Sequence, residues 1–160
     1  MTQERPRESV WDYPRPPRVE PVGRRVRIEH AGEVVAESER ALRVLETASP
    51  PTIYIPADDV RTDLLSEVAS KHSHCEWKGR AKYFDLEVGG EASEAVAWHY
   101  PEPRDAYANL RGHIAFYAGR VDAAYLGDER VRPQGGTFYG GWVTDEIEGP
   151  FKGEPGSEGW

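Results

Sequence analysis

Apolar and polar residues alternate with a period of two along much of the chain, the spacing of a strand that buries one face. Arg25-Val26-Arg27-Ile28-Glu29 is the cleanest case. After a turn at His30-Ala31-Gly32 the pattern resumes in Glu33-Val34-Val35-Ala36, which predicts a hairpin. Ser38 could cap a helical turn over Ser38-Glu39-Arg40-Ala41 before Leu42-Arg43-Val44-Leu45-Glu46 returns to an extended form; helix through Leu45 is the alternative. Pro50-Pro51 ends whichever element precedes it, and Thr52-Ile53-Tyr54-Ile55 reads as a strand closed by Pro56. Over Ala57 to Leu65 the acids lie in front and Val60, Leu64 and Val68 fall at helical spacing, which predicts a short helix. Beyond the Gly89-Gly90 turn, Val96 to Tyr100 reads as a strand, Asp105 to Leu110 as a brief helix, and Ile114 to Tyr117 and Val121 to Leu126 as strands around Gly119. Gly127-Asp128 suits a two-residue hairpin turn.

The stretch from His72 to Leu86 breaks this regularity and concentrates the chemistry. Cys75 and Trp77 share one phase of the alternation, whereas Phe84, Leu86 and Val88 share the opposite one. Gly79 can reconcile the phases in two ways. One is a bulge in a single strand, re-aiming Lys78 and Arg80 toward a pocket beside Cys75 and Trp77. The other is a tight turn between two strands, with the cations left in water.

At 160 residues, with thirteen prolines and sixteen glycines breaking it into short pieces, the chain fits one domain and favours strands over helices. Residues 1–23 form a proline-rich strap in which Trp11 and Tyr13 look like anchors, residues 24–131 a β core, and residues 132–160 a glycine- and aromatic-rich wrap. The wrap carries Phe138, Tyr139, Trp142, Phe151 and Trp160, too many rings for a disordered tail. Net charge is −8, which argues against nucleic acid as a partner. The seven arginines of residues 1–27 make a basic arm that can fold back on the acidic body. No secretory signal or membrane-length apolar run is present, so a cytoplasmic protein with no membrane partner is expected. One cysteine excludes a disulfide framework and sites that need paired thiolates.

Several motifs, in order along the chain, point to a family. They are Gly32-Glu33-Val34-Val35-Ala36-Glu37-Ser38, Leu45-Glu46, Tyr54-Ile55-Pro56 with Asp59-Val60, Cys75-x-x-Lys78-Gly79-x-Ala81-x-Tyr83, Ala97-Trp98-x-Tyr100 and Ala115-Phe116-Tyr117. Together they resemble the "domain of unknown function 427" family over roughly residues 24–126. The resemblance implies a compact, mainly β, antiparallel, β-tent-like two-sheet domain with one or two short helices, similar to methionine sulfoxide reductase B and related zinc-binding modules. Those relatives often hold zinc with paired Cys-x-x-Cys motifs, which this chain lacks. The family has also carried a nucleotidyltransferase-like name. No Gly-Ser motif followed by an Asp-x-Asp metal pair supports that name here, and a shared fold does not transfer chemistry.

Cys75 is the sharpest catalytic candidate, because Lys78, Arg80 and His74 lie close enough in sequence to favour a thiolate, and Lys78 could stabilise developing negative charge. A buried, inert thiol is the alternative. His72, His74 and Cys75, with His99, His113 or Glu46, could offer metal ligands, but without a second thiolate no metal and no cofactor is expected. Lys78, Lys82 and Arg43, against Tyr54, Trp98 and Phe116, suit an anionic small molecule better. Asp58-Asp59 and Asp145-Glu146 suggest acid/base work only weakly, and no nucleophile elbow, Walker loop, dinucleotide fingerprint or zinc-protease motif occurs. The leading expectation is a domain that binds a small polar or anionic molecule in a pocket lined by Tyr54, Cys75, Lys78, Tyr83 and Trp98, oriented by Glu46 and Arg43. A thiol enzyme using Cys75 and an interaction or homodimerisation module built on the aromatic ends are the alternatives.

Overall fold

The computed structural model describes residues 6–75, 77–135, 139–154 and 157. Glu76, Phe138 and Trp160 lie outside them. The described residues are mainly β, with several antiparallel sheets, a few short helical turns and no barrel among them. In order, the strands are β1 (Glu8–Ser9), β2 (Arg18–Pro21), β3 (Val26–His30), β4 (Glu33–Ser38), β5 (Leu42–Leu45), β6 (Thr52–Pro56), β7 (Leu65–Cys75), β8 (Gly79–Val88), β9 (Glu91–His99), β10 (His113–Phe116), β11 (Ala123–Leu126), β12 (Glu129–Arg130), β13 (Arg132–Pro133), β14 (Trp142–Val143) and β15 (Ile147–Glu148). A seven-stranded sheet runs β2-β5-β6-β10-β9-β8-β7, and a four-stranded sheet runs β12-β11-β3-β4. The two remaining pairs are β1 with β15, which is parallel, and β13 with β14.

Period-two alternation gives the large sheet two different faces. Ile53 and Ile55 of β6, Leu86 and Val88 of β8, and Ile114 and Phe116 of β10 point to one side, where they meet Val26, Ile28 and Val35 of the small sheet and Leu126 of β11. Most of these side chains are fully buried, and each contributes about 1.5–3 kcal/mol by leaving water. On the other side the intervening residues Tyr54, Ala81, Tyr83, Trp98 and Ala115 form a second, aromatic cluster with Tyr100, Tyr107 and Tyr117. Trp142 plugs the first core at 1 % exposure and donates its indole N–H to the Phe116 carbonyl at 2.9 Å.

The hairpin of β3 and β4 and the Gly127-Asp128 turn between β11 and β12 follow the sequence pattern. Two helical expectations do not. Ser38 ends β4; its hydroxyl donates to Asp59 Oδ2 at 2.6 Å and accepts from the Arg40 N–H at 3.0 Å, so no helical turn is capped there. Ala57 to Leu65 makes only two three-residue 3-10 turns, Ala57–Asp59 and Thr62–Leu64, before β7 begins. Tertiary pairing overrides the helical spacing: Val60 bridges Ala36, the Arg61 N–H donates to the Val35 carbonyl at 2.7 Å, and Leu65 pairs with Leu86.

At the N-terminal end Tyr13 is buried with Val10, Leu45 and Ile147, whereas Trp11 is 43 % exposed and donates its indole N–H to the Pro150 carbonyl at 3.0 Å. Among the described residues no helix is long and apolar enough to cross a membrane.

Candidate functional site

The central stretch is a hairpin whose turn is pressed inward. Cys75 pairs with Gly79, and Trp77 and Lys78 lie in the turn between β7 and β8. Gly79 has φ +116°, and a Cβ there would lie 3.3 Å from the Glu102 carbonyl oxygen. Glycine therefore lets the segment at 102–104 close over the turn, and the Arg104 N–H donates to the Lys78 carbonyl at 2.9 Å. That clamp turns Lys78 toward the aromatic face, leaving it 9 % exposed, while Arg80 remains in solvent. The geometry combines the two expectations: a turn joins two strands, yet one of its cations is buried.

Lys78 reaches a cavity of about 290 Å³ on the aromatic face of the large sheet. Tyr54 stands edge-on to Trp98, with ring centroids 6.3 Å apart, and lies 6.2 Å from Tyr100; Trp98 packs on Tyr117 at 4.6 Å. The Tyr54 oxygen accepts from the Trp98 indole N–H at 3.3 Å, with the Tyr100 ring beside it. Tyr83 and Ser73 share another at 2.8 Å. Burial pushes the Tyr54 and Tyr100 phenols up from the ordinary tyrosine value, so both keep their protons at neutral pH. Gln134, Tyr139, Gly140 and Lys152 supply an outer wall from the C-terminal segment. A Cβ on Gly140 would overlap the Trp98 ring.

Burial works most strongly against the Lys78 ammonium. The attraction it would feel from an ionised Tyr54 or Cys75, and feels from Glu46, outweighs this and holds the pKa above the ordinary lysine value. Lys78 is therefore a cation at neutral pH. Its Nζ lies 5.8 Å from the Tyr100 ring centroid, and among the described residues no carboxylate forms an ion pair with it.

Of the residues singled out from sequence, Glu46, Tyr54, Cys75, Lys78, Tyr83 and Trp98 all line this cavity, and His74 joins them. Arg43 does not. On β5 it is an odd number of residues from Val44 and Glu46, so it faces the opposite way, where Glu8 at 3.0 Å and Glu20 at 2.5 Å engage it. Lys82 lies outside as well, 3.4 Å from Glu67, and Phe116 belongs to the aliphatic core. His72 is exposed, His113 Nδ1 lies 3.1 Å from the Arg111 carbonyl, and His99 packs on Phe84 at 4.8 Å. Among the described residues no three His, Cys, Asp or Glu side chains gather into a metal-binding group. Tyr100 was legible as the residue two beyond Trp98 on the same face. Gln134, Gly140 and Lys152 carried no local signal.

A family model described as a domain of unknown function (DUF427) matches residues 18–127. The match begins at β2 and ends just after β11, so it contains the hairpin and the cavity floor, while the outer wall lies beyond it. No curated protein matches the chain.

Proposed function

This chain belongs to the DUF427 family of domains of unknown function, and we propose that it is a small-molecule-binding β domain whose ligand, polar or anionic, sits in the cavity beside Cys75 and Lys78. The supporting observation is Lys78 itself: a nine-tenths buried lysine that lines a hollow and has no carboxylate partner among the described residues. Buried charges are normally paired, because removing one from water is costly. An incoming polar group would complete the arrangement, and aromatic walls with a few fixed polar groups are the usual form of such a site. Thermal-shift screening of a metabolite set tests this. A ligand should raise the melting temperature of the wild type, since binding only the folded state stabilises it. The shift should vanish in Lys78→Met. A set that stabilises neither protein, or both equally, would remove the support.

A thiol-dependent enzyme is the second reading, favoured by the placement of Cys75 in the same cavity wall as Lys78. Cys75 is only half-buried, so an alkylating reagent can test its access. Rapid alkylation at neutral pH, slowed by a ligand found in the screen, supports this reading. A thiol that resists alkylation in the folded protein counts against it.

A further inference from the structure

The hydrogen-bond inventory of the cavity floor has more donors than acceptors. Trp98 Nε1, the Tyr54 hydroxyl and the Tyr100 hydroxyl each carry one hydrogen, and the Trp98 N–H is given to the Tyr54 oxygen at 3.3 Å. However the two hydroxyls are oriented toward one another, at least one of their hydrogens is left over. No side chain among the described residues accepts it. Lys78 adds three N–H donors. Excess donors beside a buried cation require an acceptor, and one with two oxygens can satisfy Lys78 and the phenol pair together.

The charge available decides which kind of acceptor fits. One cation is buried on the floor; Lys152, the other cation bordering the cavity, is only partly buried on the outer wall, over the Tyr139 ring at 5.2 Å. Glu46 also borders the cavity and lowers the local potential. Among the described residues no arginine lines it, so the planar fork that usually holds a phosphate is absent. A monoanion balances this floor better than a dianion. Above the floor, Trp98, Tyr117 and Trp77 offer ring surfaces, and a volume of about 290 Å³ is at the low end for ligand pockets. Flat apolar walls suit a ring.

We propose that the cavity takes a small aromatic carboxylate, with one oxygen on Lys78, the other on the Tyr54–Tyr100 hydroxyl pair, and the ring among Trp98, Tyr117 and Trp77. This deepens the binding function proposed above and rests on it. Cationic ligands are rejected, because they leave the floor donors unpaired and meet Lys78 head-on.

Benzoate, benzamide and acetate, titrated into the full chain and followed by NMR, separate the parts of the proposal. Benzoate should bind at least about tenfold more tightly than benzamide, the size of one hydrogen bond to a charged group, and more tightly than acetate. Lys78→Met should weaken benzoate about tenfold and leave benzamide unchanged. Tyr100→Phe, which keeps the ring packing, should weaken benzoate severalfold without unfolding the chain. Equal affinity for benzamide and benzoate overturns the carboxylate assignment while leaving a binding cavity in place. Acetate binding as tightly as benzoate overturns the aromatic assignment. If none of the three binds, the aromatic acid is excluded, and the broader binding reading is then decided by the metabolite screen with Lys78→Met.

Discussion

The two faces of the seven-stranded sheet are made by alternate residues of the same strands, yet one is sealed and the other hollow. On the sealed face Ile53, Ile55, Leu86 and Phe116 interdigitate with side chains of the small sheet, and Trp142 plugs the packing. On the other face Tyr54, Tyr83, Trp98, Tyr100 and Tyr117 are equally withdrawn from water, but they surround a cavity. Branched aliphatic side chains can fill irregular space down to the methyl, whereas large flat rings pack in a few preferred geometries and leave gaps. Electrostatics divides the same way. His99, beside the sealed face, is half-buried and burial pushes its pKa below the ordinary histidine value, while Lys78, in the hollow face, keeps its charge. One face stabilises the fold, and the other has room and polarity for a ligand.

The largest expected effect breaks the sealed face. Trp142→Ala removes a fully buried indole and its bond to the Phe116 carbonyl, so it should cost about 3–5 kcal/mol by urea denaturation. A loss below about 1 kcal/mol would mean that the C-terminal segment is not part of the core. The next effect sharpens the hollow face. Gly140→Ala puts a Cβ into the space of the Trp98 ring, and overpacking of this kind costs about 1–3 kcal/mol. The same change should displace the Trp98 indole from Tyr54, so its N–H resonance should move even where stability is only mildly reduced. An unchanged resonance would show that the outer wall is not seated on Trp98.

How much of this was legible depends on how local the cause is. Ile53-Tyr54-Ile55 carries both faces in three residues, since period two leaves no other placement once one isoleucine is inward. The same rule separates Arg43 from Glu46, and grouping the two into one site overlooked it. The segment from Ala57 to Leu65 misled because its helical spacing is real but short, and pairing with β4 and β8 supplies its hydrogen bonds instead. Cys75 to Tyr83 marked the site, but the burial of Lys78 depends on residues 102–104 closing over Gly79, a contact between segments far apart in sequence. Gly140 is the extreme case: its role is set wholly by Trp98, and a glycine in a glycine-rich tail gives no hint of it.

The smallest effect tests whether the sealed face truly disfavours charge. His99 Nε2 is buried without a hydrogen-bond partner among the described residues, and burial lowers its pKa in the folded protein. The unfolded chain, with histidine near the ordinary value of about 6.5, therefore binds a proton more readily than the folded one. Stability should be full above that value and fall as the pH drops through the folded pKa, with the slope confined to the weakly acidic range. His99→Phe keeps a ring against Phe84 and removes the proton site, so it should flatten that part of the stability profile and leave neutral-pH stability nearly unchanged. Because His99 is only half-buried, this contribution is smaller than either packing effect. An acid slope that survives His99→Phe would assign it to another group and remove the electrostatic half of the contrast, leaving the two faces distinguished by packing alone.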